Sequence, residues 1–282
     1  MTLRHFCKAA ALAAPLIIAS PAFAKDEEPL PNDQNSLTIG VGGAYLPSYE
    51  GSDDYVLTPM GVVLGKVAGF SFATRGTSLS IDLIRSDPNK PFSFDLGPVI
   101  NVRLDRTSRI KDVQVRALGE IDTAVELGAF AGFAKNGVLH RYDSLGVRLT
   151  WQHDVTNTHD SAILTPAIEY QTPLSTRTYV LLGAQAEHVG SGYARTYFNV
   201  TPAGSLASGL PIYAAAGRGW KDYRLSLFGA QMLTGDLRHP GLSLFGGVSY
   251  SRLLGAFKRS PIVAIAGDAD QYLATLGLAY TF

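Results

Sequence analysis

Nucleophilic chemistry has one foothold in this chain, the run His159-Asp160-Ser161. Residues two apart on a strand share a face, so His159 is placed to take a proton from Ser161, with Glu169 further along that face as the orienting acid. A polar loop entering a strand is the plainer reading of the same residues. His153 and His159, with Asp154 and Asp160, are metal-ligand types that fix no third-ligand spacing. Gly51-Ser52-Asp53-Asp54 offers the oxygens a hard cation takes, and equally the composition of a tight turn. Gly40-Val41-Gly42-Gly43 has no helix behind it to cradle a phosphate, and no cofactor is implied. Arg106, Arg109, Lys111 and Arg116 are closely spaced cations that suit phosphate groups, or a solvated loop.

The elements that would hold such residues are strands. Hydrophobic residues make up 46% of the 282, enough for one large domain or two small ones, and 24 basic against 24 acidic residues leave no basic excess of the nucleic-acid-binding kind. Twenty-nine Gly, 13 Tyr and 13 Phe against three Met favour β-structure with close backbone approaches over helix. At the N-terminus Arg4 and Lys8 precede an apolar run from Ala9 to Ile18, then Ala22-Phe23-Ala24 and the charged Lys25-Asp26-Glu27-Glu28. This order predicts a secretory signal peptide, residues 1–24, cut after Ala24. Its apolar run is too short for an anchoring helix, which needs ~20 residues. Cleavage removes Cys7, the one cysteine, and with it any disulfide, thiol nucleophile or cysteine metal site. Residues 25–35 hold Asp26, Glu27, Glu28 and Asp33, with Pro29 and Pro31 opposing helix, and are expected to form an extended acidic tail.

No later segment has the ~18 consecutive apolar residues of a helical span, and alternation is what remains. Leu37, Ile39, Val41 and Tyr45 oppose Ser36, Thr38, Gly40 and Gly42; Leu145, Val147, Leu149 and Trp151 oppose Ser144, Gly146, Arg148 and Thr150. Runs of ~10 to 14 residues are twice the usual globular strand and suit a tilted membrane crossing. The prediction is an all-β chain: a transmembrane antiparallel up-and-down β-barrel over residues 36–282, of about twelve strands. These fall near 36–46, 55–64, 67–75, 77–84, 92–104, 119–133, 139–153, 161–171, 176–188, 219–232, 241–253 and 271–282. An even number returns the chain to the periplasm, with short turns there at Gly65-Lys66, Ser86 to Pro91, Lys135-Asn136-Gly137, Thr172 to Ser175 and Thr234 to Pro240. The longer stretches 47–54, 105–118, 154–160, 189–218 and 254–270 then lie outside. Leu210 to Ala216 would break parity and is expected in a loop. Pro98 removes a ladder donor mid-strand, at a cost the sequence does not explain.

The ending Thr275-x-Gly277-x-x-Tyr280-x-Phe282 resembles the signal by which the outer-membrane assembly machinery selects its clients, which places the chain in the Gram-negative outer membrane. In outer-membrane lipid, Arg106, Arg109, Lys111 and Arg116 are expected to meet the phosphates of lipopolysaccharide. Asp95, Arg103, Asp122, Glu126, Arg148, Arg177 and Glu187 are expected inside, as mutually neutralising ladders that plug the lumen.

Four stretches resemble the MipA/OmpV family, named after the MltA-interacting protein of the murein machinery. They are Ala44 to Tyr55 with Pro59; Gly119-Glu120-Ile121-Asp122 leading to Glu126-Leu127-Gly128; Tyr197 to Pro202 with Ser208 to Tyr213; and Tyr250 to Gly255 with Ser260-Pro261-Ile262-Val263, Gln271 and the last strand. Asn199 departs from the family's usual Gly, and Ala256-Phe257-Lys258-Arg259 from a typically acidic stretch. The resemblance implies a non-catalytic outer-membrane protein, in one described role a scaffold joining a lytic murein transglycosylase to a penicillin-binding murein synthase. The competing readings are a narrow solute channel and, further off, a lipid A-modifying enzyme built on Ser161.

Overall fold

A computed structural model describes residues 35–85, 90–215 and 217–282; the expected signal peptide, its cut and nearly all of the acidic tail lie outside these residues. The strands are Ser36–Pro47 (β1), Tyr55–Val67 (β2), Phe70–Arg75 (β3), Ser78–Asp82 (β4), Phe92–Arg103 (β5), Ala124–Asn136 (β6), Ser144–Asp154 (β7), Ala162–Pro173 (β8), Thr178–Val189 (β9), Gly219–Met232 (β10), Gly241–Leu253 (β11) and Asp270–Thr281 (β12). Each pairs antiparallel with its neighbours, and β1 pairs with β12 to close the ring. All twelve expected strands are present. The stretch from Leu210 forms none, Tyr213 making a single bridge to Val200.

Alternation builds the wall. Val41, Leu57, Val147, Leu276 and their like are exposed on the outer face, where lipid covers them, and their polar neighbours turn inward. Aromatic rings mark both edges of that apolar band. At the outer edge Tyr45 stacks on Tyr55 at 5.2 Å and Tyr250 leans on Tyr272 at 5.5 Å. At the periplasmic edge Phe92 meets Phe133 at 5.4 Å and Tyr280 meets Phe282 at 4.8 Å. Closure brings Gly42 opposite Gly277, where a Cβ on Gly277 would stand 2.5 Å from the Val41 carbonyl oxygen. The terminal pattern thus carries a glycine with a packing reason of its own. Thr275 faces the lumen, and Phe282, outward, donates its N–H to the Leu37 carbonyl at 2.8 Å.

Three turns fall elsewhere than expected, the one expected at Thr172 to Ser175 lying at 174–177; the one expected from Ser86 to Pro91 lies largely outside the described residues. Gly65-Lys66 lies within β2, and the β2–β3 turn is Ala68-Gly69 at φ 53° and 86°, the pair of positive angles that matches the twist of a hairpin. The strand expected from Gly119 begins at Ala124 and runs on to Asn136, so the next turn is 137–143, not Lys135-Asn136-Gly137. There the Asp143 carboxylate gathers the backbone N–H groups of Val138, Leu139 and His140. Pro98 proves cheap. Pairing of β4 with β5 ends at Ser80 opposite Val99, and the next N–H on that side, that of Leu96, goes to Asp82 Oδ1 at 3.0 Å.

β3 and β4 are short, and their tip at Gly76-Thr77 stops partway up the wall. Pairing of β2 with β3 begins only at Leu64 opposite Ala73, so among the described residues β2 from Tyr55 to Val62 has no strand on that side. Pro59 sits on this open edge, where it has no N–H to leave unpaired.

Ala68 adopts a left-handed conformation that Gly reaches without steric cost. Ala68→Gly is expected to raise the urea midpoint of the barrel in lipid vesicles by the equivalent of about 0.5–1 kcal/mol. An unchanged or lowered midpoint would show that the turn carries no such strain.

Candidate functional site

A barrel whose apolar face meets lipid must keep any water-excluding core elsewhere, and here it lies in the external loops. Those loops contain Val113–Ala117 (α1), Ser191–Phe198 (α2), Pro202–Ser208 (α3), Gly255–Arg259 (α4) and Pro261–Ala264 (α5). The ends of α3 follow from sequence: Thr201 Oγ1 accepts the Gly204 N–H at 3.0 Å, Pro202 opens the helix, and Gly209 at φ 74° ends it. Tyr193, Tyr197 and Phe198 of α2 pack with Phe257 and Val263 onto Ile163, Val189 and Leu253 at the strand tops. A second cluster joins Tyr49, Ile110, Val115, Val200, Leu210 and Ile262. The Tyr49 hydroxyl donates to the Ala266 carbonyl and so ties the first external loop to the last. Together the loops form a cap over the outer mouth.

Beneath the cap lies a charged network. A register shift between Trp220 and Asp222 bulges β10, turning Lys221 inward beside Asp222 where strict alternation would have put it in lipid. Lys221 is 1% exposed; its Nζ meets the Glu50 carboxylate, Glu187 Oε2 at 2.6 Å and Asp222 Oδ2 at 3.4 Å. Toward the opposite wall Arg103 Nε donates to Glu126 Oε1 at 2.6 Å, and Asn101 Nδ2 to Glu126 Oε2 at 2.7 Å. His159 Nε2 stands 3.1 Å from the same Glu126. Tyr193 joins the halves: its hydroxyl accepts from Arg103 Nη1 at 3.0 Å and donates to Glu50 Oε2 at 2.7 Å. A continuous polar chain therefore crosses the lumen from β5 to β10. Each ion alone would cost several kcal/mol to bury, and each has found partners that offset it. At the loop side Asp105 accepts the Glu50 N–H at 2.7 Å, and burial together with the Glu50 charge pushes its carboxyl up to about 6.

Below this plane the lumen is wetter. Arg75 pairs with Glu169 at 3.1 Å with side chains 48% and 29% exposed, and inward-facing Leu64 is 41% exposed. Among the described residues the interior is thus closed above and has no comparable packing toward the periplasm.

The residues singled out from sequence fall as follows. His159 turns its ring to Glu126, Ser161 Oγ makes no bond to that ring and stands where a Cβ on Gly190 would lie, and Glu169 is engaged lower down by Arg75. No triad is assembled from them. His153 bonds the Asp154 carbonyl, away from His159, and among the described residues no three metal-ligand side chains converge. The carbonyls of Gly51 and Ser52 are taken by Asp268 N and Gln271 Nε2, as a structural turn requires. Arg103, Glu126 and Glu187 meet partners in the lumen as expected, and Arg148 lies 3.5 Å over the Phe130 ring. Asp122 and Arg177 instead lie in connections, because β6 begins after the one and β9 after the other. Arg106 is buried in the cap with its guanidinium on the Tyr197 and Gly119 carbonyls, whereas Arg109, Lys111 and Arg116 are exposed on the outer rim. Glu50, Lys221, Asp222 and Tyr193 were not anticipated. Lys221-Asp222 did carry a signal, since two consecutive charges in a lipid-crossing strand require either a bulge or a charge in lipid.

A family model described as MltA-interacting protein MipA matches residues 39–282. No curated protein matches the chain. Among solved structures, a FadL homologue of Pseudomonas aeruginosa is 11% identical with 88% of this chain and 89% of that one covered, at a TM-score of 0.31. A loop deletion mutant of OmpT, an outer membrane protein of Vibrio cholerae, is 7% identical over 88% and 98%, at 0.36. The Pseudomonas putida toluene transporter TodX is 9% identical over 89% of each, at 0.35. Likeness this distant says nothing about activity.

Lys221→Met would leave Glu50, Glu187 and Asp222 without the cation they share. It is expected to loosen the cap by about 3–5 kcal/mol, read as faster protease cleavage within residues 190–218 on intact membranes, while the barrel keeps its heat-modifiable gel mobility. Cleavage at the wild-type rate would show that the network does not hold the cap. Asp105 gives a pH signature. Its folded value of about 6 exceeds the ordinary carboxylate range, so its contribution is full below about pH 4 and is lost as pH rises through 6. Hydrogen exchange in residues 104–112, corrected for intrinsic rates, should be slower at about pH 5 than at about pH 7.5, and Asp105→Asn should flatten the difference.

Proposed function

The chain belongs to the MltA-interacting protein MipA family, and on that premise we propose that it is a non-enzymatic outer-membrane scaffold whose working surface faces the periplasm and the murein. One observation supports this reading: the outer end of the lumen is filled, with Glu126 and Tyr193 at 0% and Lys221 at 1% exposure, while among the described residues no such packing fills the inner end. Among the described residues such a cap leaves a solute no passage from the outer mouth into the lumen, which disfavours the channel. Separation of His159, Ser161 and Glu169 disfavours the lipid-modifying enzyme.

The proposed partners follow from the family's name and from the resemblance to it: a murein transglycosylase, and a penicillin-binding synthase joined to it. The surface we propose for them comprises the periplasmic turns, the inner end of the lumen and the acidic residues 25–35. A contact through the acidic residues would be salt-dependent.

Crosslinked pull-down of the intact protein is expected to capture a murein transglycosylase, and deletion of residues 26–35 to abolish capture without changing heat modifiability. Capture that survives the deletion would move the contact to the turns or the inner end of the lumen. Failure of the intact protein to capture any murein enzyme, or steady conductance of the wild type in planar bilayers, would end the scaffold reading.

A further inference from the structure

The short β3–β4 hairpin leaves a gap in the outer half of the wall, and the loop between β5 and β6 bridges it with side chains. Lys111 Nζ donates to the Tyr55 carbonyl at 2.5 Å and Arg109 Nη1 to the Leu57 carbonyl at 3.5 Å. Beside them lies a groove of about 650 Å³ bordered by Tyr45, Tyr55, Leu57, Arg109, Lys111 and Arg116.

Height and charge together identify what fits. The stacked Tyr45 and Tyr55 rings belong to the outer aromatic belt, so the groove opens at the level of the outer-leaflet headgroups. All three cations are exposed, and among the described residues none has a carboxylate within salt-bridge distance. Asp112, next to Lys111 in sequence, caps α1 by accepting the Val115 N–H at 2.8 Å. By contrast Arg103, Lys221 and Arg252 all have acidic partners. Three uncompensated cations converging at a lipid-facing edge form a site for a multiply charged anion that carries its own apolar body.

We propose that this groove seats the phosphate-bearing headgroup of lipopolysaccharide, with Arg109, Lys111 and Arg116 on the phosphates, the Tyr45 and Tyr55 rings against the sugar, and the acyl chains running down the open edge of β2 past Leu57 and Pro59. Arg106, buried in the cap, takes no part. The proposal rests on the outer-membrane placement alone and is independent of the scaffold reading.

Native mass spectrometry of the wild type in detergent tests it with three probes: lipopolysaccharide, its enzymatically dephosphorylated form, and inorganic phosphate. Lipopolysaccharide is expected to stay bound, the dephosphorylated form to bind on the order of tenfold more weakly or worse, and inorganic phosphate not to compete. The triple variant Arg109→Ser, Lys111→Ser, Arg116→Ser should lose binding by a similar factor, whereas Lys258→Ser with Arg259→Ser, exposed on the last external loop, should not. Equal binding of the two lipid forms, or of the triple variant with its heat-modifiable mobility intact, would overturn the proposal; competition by inorganic phosphate would reduce the groove to a free-anion site. If the triple variant fails to fold, the comparison of lipid forms in the wild type still decides.

Discussion

The Tyr193 hydroxyl, held between Arg103 and Glu50, is the contact on which the upper half of this molecule depends. A membrane barrel spends its apolar surface on lipid and keeps a polar lumen, so whatever closes the lumen must be fastened by polar bonds. Tyr193 does this from the middle. Through Arg103 it reaches Glu126 and His159, and through Glu50 it reaches Lys221, Glu187 and Asp222. Its ring meanwhile packs with Tyr197 and Phe198, so one side chain joins the apolar cap to the charged layer below. The bulge in β10 serves the same end, by bringing a lysine indoors.

The loop between β5 and β6 works in two directions. Ile110 and Val115 anchor it in the cap, whereas Arg109 and Lys111 point the other way and hold carbonyls on the open edge of β2. An unpaired strand edge in a membrane is otherwise a liability, because neither water nor lipid satisfies its backbone. Here side chains and a proline share the work that a longer hairpin would have done.

Strands were legible because alternation against lipid is strict: Leu145, Val147, Leu149 and Trp151 could face only one way. The cap was less so. Thr201-Pro202 with Gly209 seven residues on is complete helix punctuation, but a helix of seven residues inside a long external loop has no periodic apolar run to announce it. Chain-distant pairings such as Glu50 with Lys221 leave no local trace. Alternation alone cannot place Lys221, since the bulge changes which face a residue takes. For His159-x-Ser161 the plainer reading was the right one: the spacing suits catalysis, but His159 lies in the loop before β8 and its ring is spoken for.

The cap also orders events in time. Tyr49 bonds the Ile262 carbonyl across 213 residues, and Gly51 bonds Gln271 across 220. Contacts so remote in sequence form late, since loop closure precedes any reward. The cap therefore cannot settle until the final hairpin has crossed and met the first strand, and a half-inserted barrel would hold Lys221 and its carboxylates in an unfinished, hydrated mouth. Settling of the cap is in effect a chemical record that the ring has shut.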